Sequence, residues 1–206
     1  MSELKVNKIS PETGTAITLG DSGDTFTVPS GATIVNSGTA TGFGGGGKVL
    51  QVLQNVKTDT QSISGNTFTT VLTQAITPAA TSSKVLIHVS INVAGSVRYA
   101  AVQLYRDSTQ IYMGDAAGSR ASVSVGSMMN ESAGSASSVL FNSNFTFLDS
   151  PSSTSSVTYY VKAANTYTGG SYGTGATTYI NQMAADSDAD YTARGASSLT
   201  VQEIGA

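Results

Sequence analysis

Apolar and polar positions alternate along most of this chain, and nowhere do apolar residues recur at i, i+3, i+4, i+7 over three turns. The clearest run is Lys84–Val93. Val85, Ile87, Val89, Ile91 and Val93 fall on one face of an extended strand, and Leu86, His88, Ser90 and Asn92 fall on the other. β-Branched and aromatic residues fill such runs, and Gly, Ser, Asn and Asp clusters bound them. The pattern predicts strands over Lys48–Lys57, Thr67–Ala75, Lys84–Ala94, Tyr99–Arg106, Gln110–Met113, Ser122–Met128, Val139–Leu148, Val157–Ala164, Thr177–Asn181 and Leu199–Ile204. Turns are expected at Ser64-Gly65-Asn66, Arg106-Asp107-Ser108 and Asp149–Ser152. Strands at this spacing read as an antiparallel sandwich or barrel. Alternation is imperfect along Val49, Val52, Leu53 and Val56. In Val157–Ala163, Tyr159, Val161 and Ala163 share one face, and Tyr160 and Lys162 the other. Aromatics on both faces fit either a face covered by a partner subunit or a pair of surface tyrosines.

The first forty residues have a different texture. Four short extended pieces, Leu4–Ile9, Thr15–Leu19, Thr25–Val28 and Ala32–Val35, are separated by the turn clusters Ser10–Gly14, Gly20–Asp24 and Pro29–Gly31. Each piece carries only two or three apolar residues. Ordering a residue costs roughly 1–2 kcal/mol, so such an arm cannot order alone. It must stay disordered, or pack against other copies or the structure to which it attaches. Its apolar contacts would come from Leu4, Val6, Ile9, Ile17, Leu19, Phe26 and Val28.

A glycine run then precedes the regular alternation. Gly42 and Gly47 stand at P-loop spacing from Lys48, but Val49 occupies the position where a P-loop needs Ser or Thr. The downstream segment also reads as a strand, with no helix N-terminus to hold a phosphate. The run is therefore read as a flexible joint. The chain divides into an arm (1–41), a linker (42–47) and a head (48–206).

Composition narrows the chemistry. Charged residues make up 11% of the chain, against roughly 25% in an average soluble protein, so the surface is polar rather than ionic. Hydrophobic residues reach 39%, enough for a folded core. A net charge of −3 with scattered basic residues argues against nucleic-acid partners. No apolar stretch approaches a membrane span, and Met1–Ser10 lacks the apolar core of a signal peptide. The expectation is synthesis in a cytoplasm, without membrane insertion. With no cysteine, disulfides and thiolate chemistry are excluded. Any Ser/His/Asp triad would have to use His88, the sole histidine, and its place inside a strand run marks it as a sheet-face residue. No catalytic residue stands out, and the chain is expected not to be an enzyme.

The opening Leu4–Ile9, followed by Ser10–Gly14, Ile17–Gly20 and Asp24–Ala32, resembles the N-terminal arms of tail-fibre and other virion appendage proteins of marine tailed phages, including cyanophages. The C-terminal part, on Val157–Ala163, Tyr179-Ile180-Asn181 and Ser198–Ile204, resembles the trimeric jelly-roll heads of the C1q/TNF-like type found at the ends of such fibres. The resemblance implies an all-β homotrimer whose arm docks into other virion proteins and whose antiparallel jelly-roll β-sandwich head meets the host surface. It implies a location on the virion, after synthesis in the host cytoplasm. The chain lacks the long shaft of a full fibre, so a capsid-surface fibre or decoration protein is the alternative within the class. Outside it stand a glycan-degrading enzyme, which would need paired carboxylates in a groove, and a secreted C1q-like lectin.

Two further stretches carry candidate chemistry. Asp186, Asp188 and Asp190 alternate like the first half of a calcium loop, although the glycine and distal glutamate of an EF-hand are missing. No other cofactor is expected. Tyr167–Gly175 is a Gly/Ser-rich loop in which Tyr167 and Tyr172 could stack on a host-surface glycan.

Overall fold

The computed structural model describes residues 9–18, 20–25, 27–33, 35, 48–96, 99–128, 139–166 and 176–205. The chain divides into two units, Met1–Gly44 and Gly45–Ala206, the boundary falling inside the glycine run.

In the first unit the described residues form turns and extended segments without a strand, and every one is exposed. The turns sit where Gly and Pro called for them. Asp24 N donates to Asp21 O at 3.0 Å, and Ala32 N to Pro29 O at 3.1 Å. The third residue of each turn is a glycine, Gly23 at φ 97° and Gly31 at φ 86°, a conformation that costs glycine no steric strain. Ile9, at 57% exposure, Ile17 and Val28 are all exposed. Leu4, Val6, Leu19 and Phe26 lie outside the described residues.

The second unit is all-β among its described residues. Its strands are β1 (Val49–Lys57), β2 (Gln61–Ser64), β3 (Thr69–Ile76), β4 (Lys84–Gly95), β5 (Tyr99–Arg106), β6 (Thr109–Ile111), β7 (Val125–Met128), β8 (Phe141–Asp149), β9 (Val157–Ala164), β10 (Thr177–Ile180) and β11 (Ser197–Ile204). They form two antiparallel sheets. The six-stranded sheet runs β1-β11-β4-β10-β2, with β8 also paired to β4. β11 and β8 both pair the Val85–Ser90 stretch of β4, so they flank it on opposite edges. The five-stranded sheet runs β3-β9-β5-β6, with β7 also paired to β5.

The alternating runs become the two inner faces of a sandwich-like arrangement. Val85, Ile87, Val89, Ile91, Val93, Leu199 and Val201 come from one sheet, and Leu72, Leu104, Tyr159 and Val161 from the other. All belong to one buried cluster. The imperfect alternation of β1 has a local cause. A register shift between Val49 and Gln51 marks a bulge, and beyond it Leu53 packs against the core. Val52 and Val56 turn outward, at 55% and 54% exposure.

All ten expected strands are present with adjusted ends, and β2 is an addition. Ile63 is the only large apolar residue in β2, too little for periodicity to register. The expected Gln110–Met113 strand stops at Ile111 because Tyr112 adopts a φ of 49°. The expected Ser122 start moves to Val125, since the Ser122 carbonyl accepts side-chain bonds from Gln103 and Gln110 instead of a strand partner. Tyr160 and Lys162 do face outward, and Lys162 Nζ lies 4.0 Å from the centre of the Tyr105 ring. A cation–π contact within the chain therefore occupies part of that face.

Glu203 is an exception on the inner face, at 1% exposure. Its Oε2 accepts from Gln51 Nε2 at 2.6 Å and its Oε1 from Ala79 N at 2.7 Å. Burial pushes the carboxyl up, but the hydrogen bonds, led by that of Gln51, outweigh it and hold the group below its ordinary value of 4.5. A depressed folded-state pKa adds stability that is present above pH 4.5 and is lost as pH falls through the folded value. Glu203→Gln should therefore lower the melting temperature at pH 7, with the gap to the parent narrowing below pH 4.5. Melting curves across pH 3 to 7, with a gap that does not change with pH, would contradict this.

Candidate functional site

The outer face of the six-stranded sheet is the most distinctive surface of the head. With Val85, Ile87 and Val89 buried, their neighbours Leu86, His88 and Ser90 must point the other way. Strand pairing sets these residues into rows. Val52, Gln202, Leu86 and Leu148 form the first row, and Gln54, Thr200, His88 and Thr146 the second. Val56, Ser198, Ser90 and Asn144 form the third, and Asn92 and Asn142 add a partial fourth. None of these residues is an Asp, Glu, Lys or Arg. Val52, Val56 and Leu148, the last at 52% exposure, leave aliphatic surface open at the margins.

The polar members of this face bond to one another sideways. Gln54 Nε2 donates to Thr200 Oγ1 at 2.8 Å. His88 Nδ1 and Thr146 Oγ1 lie 3.1 Å apart, and either can donate. Asn142 Nδ2 donates to Ser90 Oγ at 3.1 Å and to Asn92 Oδ1 at 3.2 Å. Around His88 the surface dips into a depression of about 370 Å³, walled by Ser90, Asn144, Phe145, Thr146, Ser198 and Thr200. A hydroxyl beside an imidazole is half of a nucleophilic arrangement. The wall supplies no carboxylate to orient the ring, only hydroxyls, an amide and apolar carbon. The chemistry this face offers is contact through hydroxyl, amide, imidazole and aliphatic groups.

Two buried polar clusters brace the sandwich behind it. Asp149, at the end of β8, accepts two bonds from Arg106 Nη1, both at 2.9 Å, and one from the Tyr159 hydroxyl at 2.7 Å. Burial, and then the bond to Asp149, push the Tyr159 phenol well above its ordinary value, so it stays a donor. Beyond β10, Asn181 adopts a φ of 60°. Its Nδ2 donates to the carbonyls of Lys57 and Asp59, and its Oδ1 accepts from Ser197 Oγ at 2.6 Å.

The alternating aspartates do not converge. Arg194 holds Asp186 through Nε at 3.1 Å and Nη2 at 2.6 Å, and that guanidinium keeps the Asp186 carboxyl below its ordinary value. The turn between them is closed by Thr192, whose hydroxyl donates to the carbonyls of Ser187 and Ala189. Asp188 lines the same shallow hollow as Asp186 and Arg194. Among the described residues no group of three or more His, Asp or Glu side chains is arranged to hold a metal ion. An arginine eight residues downstream takes the carboxylate that a calcium site would need. Tyr167 and Tyr172 lie outside the described residues. Lys48 is followed directly by β1, not by a helix, so no helix N-terminus follows it to hold a phosphate.

β4 was readable as two-faced from its own sequence. The rows were not, because they depend on the registers of β1, β8 and β11, which alternation leaves undetermined. No protein-family model and no curated protein matches this sequence.

Proposed function

We propose that this chain is a structural subunit of a phage virion appendage, a trimeric tail fibre or spike. Its N-terminal arm attaches to the particle, and its head meets the host surface. The observation that carries the reading is the contrast between the two units. One has every described residue exposed, and the other is a well-packed sandwich. An arm of that composition gains order by pairing its backbone and its few apolar side chains with other chains.

The strand order supports a jelly roll for the head. Setting aside β2, β6 and β10, eight strands remain, and they pair first with last (β1–β11), second with seventh (β3–β9), third with sixth (β4–β8) and fourth with fifth (β5–β7). That nesting is what a hairpin folded over onto itself produces, and jelly rolls are built from two Greek keys in this way. A trimer of such heads would present three copies of each loop around one axis, so weak contacts add through avidity.

Antibodies against the head, applied to purified particles, test the function directly. Label on the tail or capsid surface supports the reading, and label confined to particle-free lysate overturns it. The division of labour has its own test. A fragment spanning 48–206 should melt within about 2 °C of the full chain, because every described residue of the arm is exposed and the buried cluster lies within the head. A drop of about 10 °C would mean that the arm contributes to the fold of the head.

A further inference from the structure

We propose that the outer face of the five-stranded sheet binds uronic-acid sugars. Tyr160 is the stacking surface, and Lys162 the counter-ion of the sugar carboxylate. The inference rests on the reading that the head meets the host surface, and adds to it a place and a ligand class.

Strand pairing builds the site. With Tyr159, Val161 and Ala163 buried, Tyr160 and Lys162 are the outward residues in the middle of β9. Tyr160 stands opposite Thr73 of β3 and Tyr105 of β5, and Tyr105 stands opposite Gln110 of β6. Lys162 stands opposite Thr70 of β3 and Gln103 of β5. The two tyrosines are therefore cross-strand neighbours, with Cβ atoms about 4.5–5.5 Å apart, in a frame of hydroxyls and amides. That frame is held in place. Gln103, at 6% exposure, accepts from the Tyr105 hydroxyl at 3.0 Å. Its Nε2 donates to the Ser122 carbonyl at 2.8 Å, and Gln110 Nε2 donates to the same oxygen at 3.0 Å. The segment between β6 and β7 thus forms a rim beside the tyrosines.

Lys162 selects the class of ligand. Its Nζ lies 4.0 Å from the centre of the Tyr105 ring and 5.9 Å from that of Tyr160. Among the described residues no carboxylate pairs with it. Asp107, in the turn after β5, accepts from Thr158 N instead. The lysine is half-buried and its ammonium is held by ring faces, which satisfy it less fully than an anion does. A tyrosine ring also suits the apolar C–H face of a pyranose, and Thr70, Thr73 and Gln110 offer partners to its hydroxyls. A sugar seated on Tyr160 brings a carboxylate substituent within reach of Lys162 Nζ. A neutral sugar would leave the ammonium without a counter-charge. An acidic peptide would supply the charge but leave the ring face and the hydroxyl frame unused.

Isothermal titration of the full chain tests this, using trimers of galacturonate and of mannuronate, the methyl ester of each, and pentaglutamate. At least one acidic trimer should bind at least tenfold more tightly than its ester. Lys162→Gln should abolish that preference and Lys162→Arg should keep it. Tyr160→Ala should weaken the acidic trimer at least tenfold, with the fold of each variant verified by circular dichroism. Equal affinity for acid and ester overturns the part given to Lys162, and an unaltered Tyr160→Ala overturns the stacking surface. Pentaglutamate bound as tightly as the trimers overturns the sugar as ligand. Binding of neither trimer overturns the site as a whole, while label on particles in the antibody experiment would leave the virion reading standing.

Discussion

Asp149→Ala is expected to remove about 3 kcal/mol of unfolding free energy, because it leaves the buried Tyr159 hydroxyl without its acceptor and Arg106, whose side chain is 27% exposed, without its counter-ion. The carboxylate is the single acceptor shared by Arg106 and the Tyr159 hydroxyl. Its loss leaves a guanidinium and a phenol facing a cavity at the end of the core. Two comparisons separate the contributions. Tyr159→Phe keeps the ion pair and should cost about 2 kcal/mol, the worth of a hydrogen bond to a charged group. Arg106→Met combined with Asp149→Leu removes both charges and should be less damaging than Asp149→Ala alone, because apolar replacement of a buried pair is often close to neutral. Urea titration gives all three values. If Asp149→Ala cost less than about 1 kcal/mol, the cluster would not be bracing the sandwich.

Asn181→Ala should cost about 3 kcal/mol. The substitution removes the side-chain donor to the part-buried Lys57 and Asp59 carbonyls and leaves the buried Ser197 hydroxyl without its acceptor, and a buried group left unpaired exacts a penalty. It also places alanine at a φ of 60°, which asparagine tolerates better. Asn181→Gly loses the same bonds but relieves the backbone, so it should unfold at a free energy about 1 kcal/mol higher than Asn181→Ala. If the two variants were equal in urea titration, conformational strain would have no part in the effect.

These two clusters mark where sequence reading stopped. Alternation located β4, β9 and β11 well, because each has one fully buried face and period two has only one way to satisfy it. It missed β2, with a single isoleucine to report. Asp149 appears in sequence as the start of a Ser/Pro turn, and Asn181 as the last residue of a strand. Nothing local says that either is buried, since their partners lie 43 and 124 residues away in the chain. The candidate face was half legible. Leu86, His88, Ser90 and Asn92 could be placed together from one strand, but a face without Asp, Glu, Lys or Arg across four strands is a property of their pairing. In the aspartate series Arg194 pairs with Asp186, a contact that the spacing does not encode.

The strand β1 gives the head a mechanical polarity. At one end Gly205 N donates to Lys48 O at 2.8 Å, so the start and finish of the head lie side by side. At the other end, nine residues and about 30 Å along, Lys57 is anchored by Asn181. A pull arriving through the chain at Lys48 therefore enters the sandwich along β1. The rungs to β11 run across that direction, so they meet the load together, in shear, rather than opening one after another. Such a strand suits a domain that takes its load through its first residue.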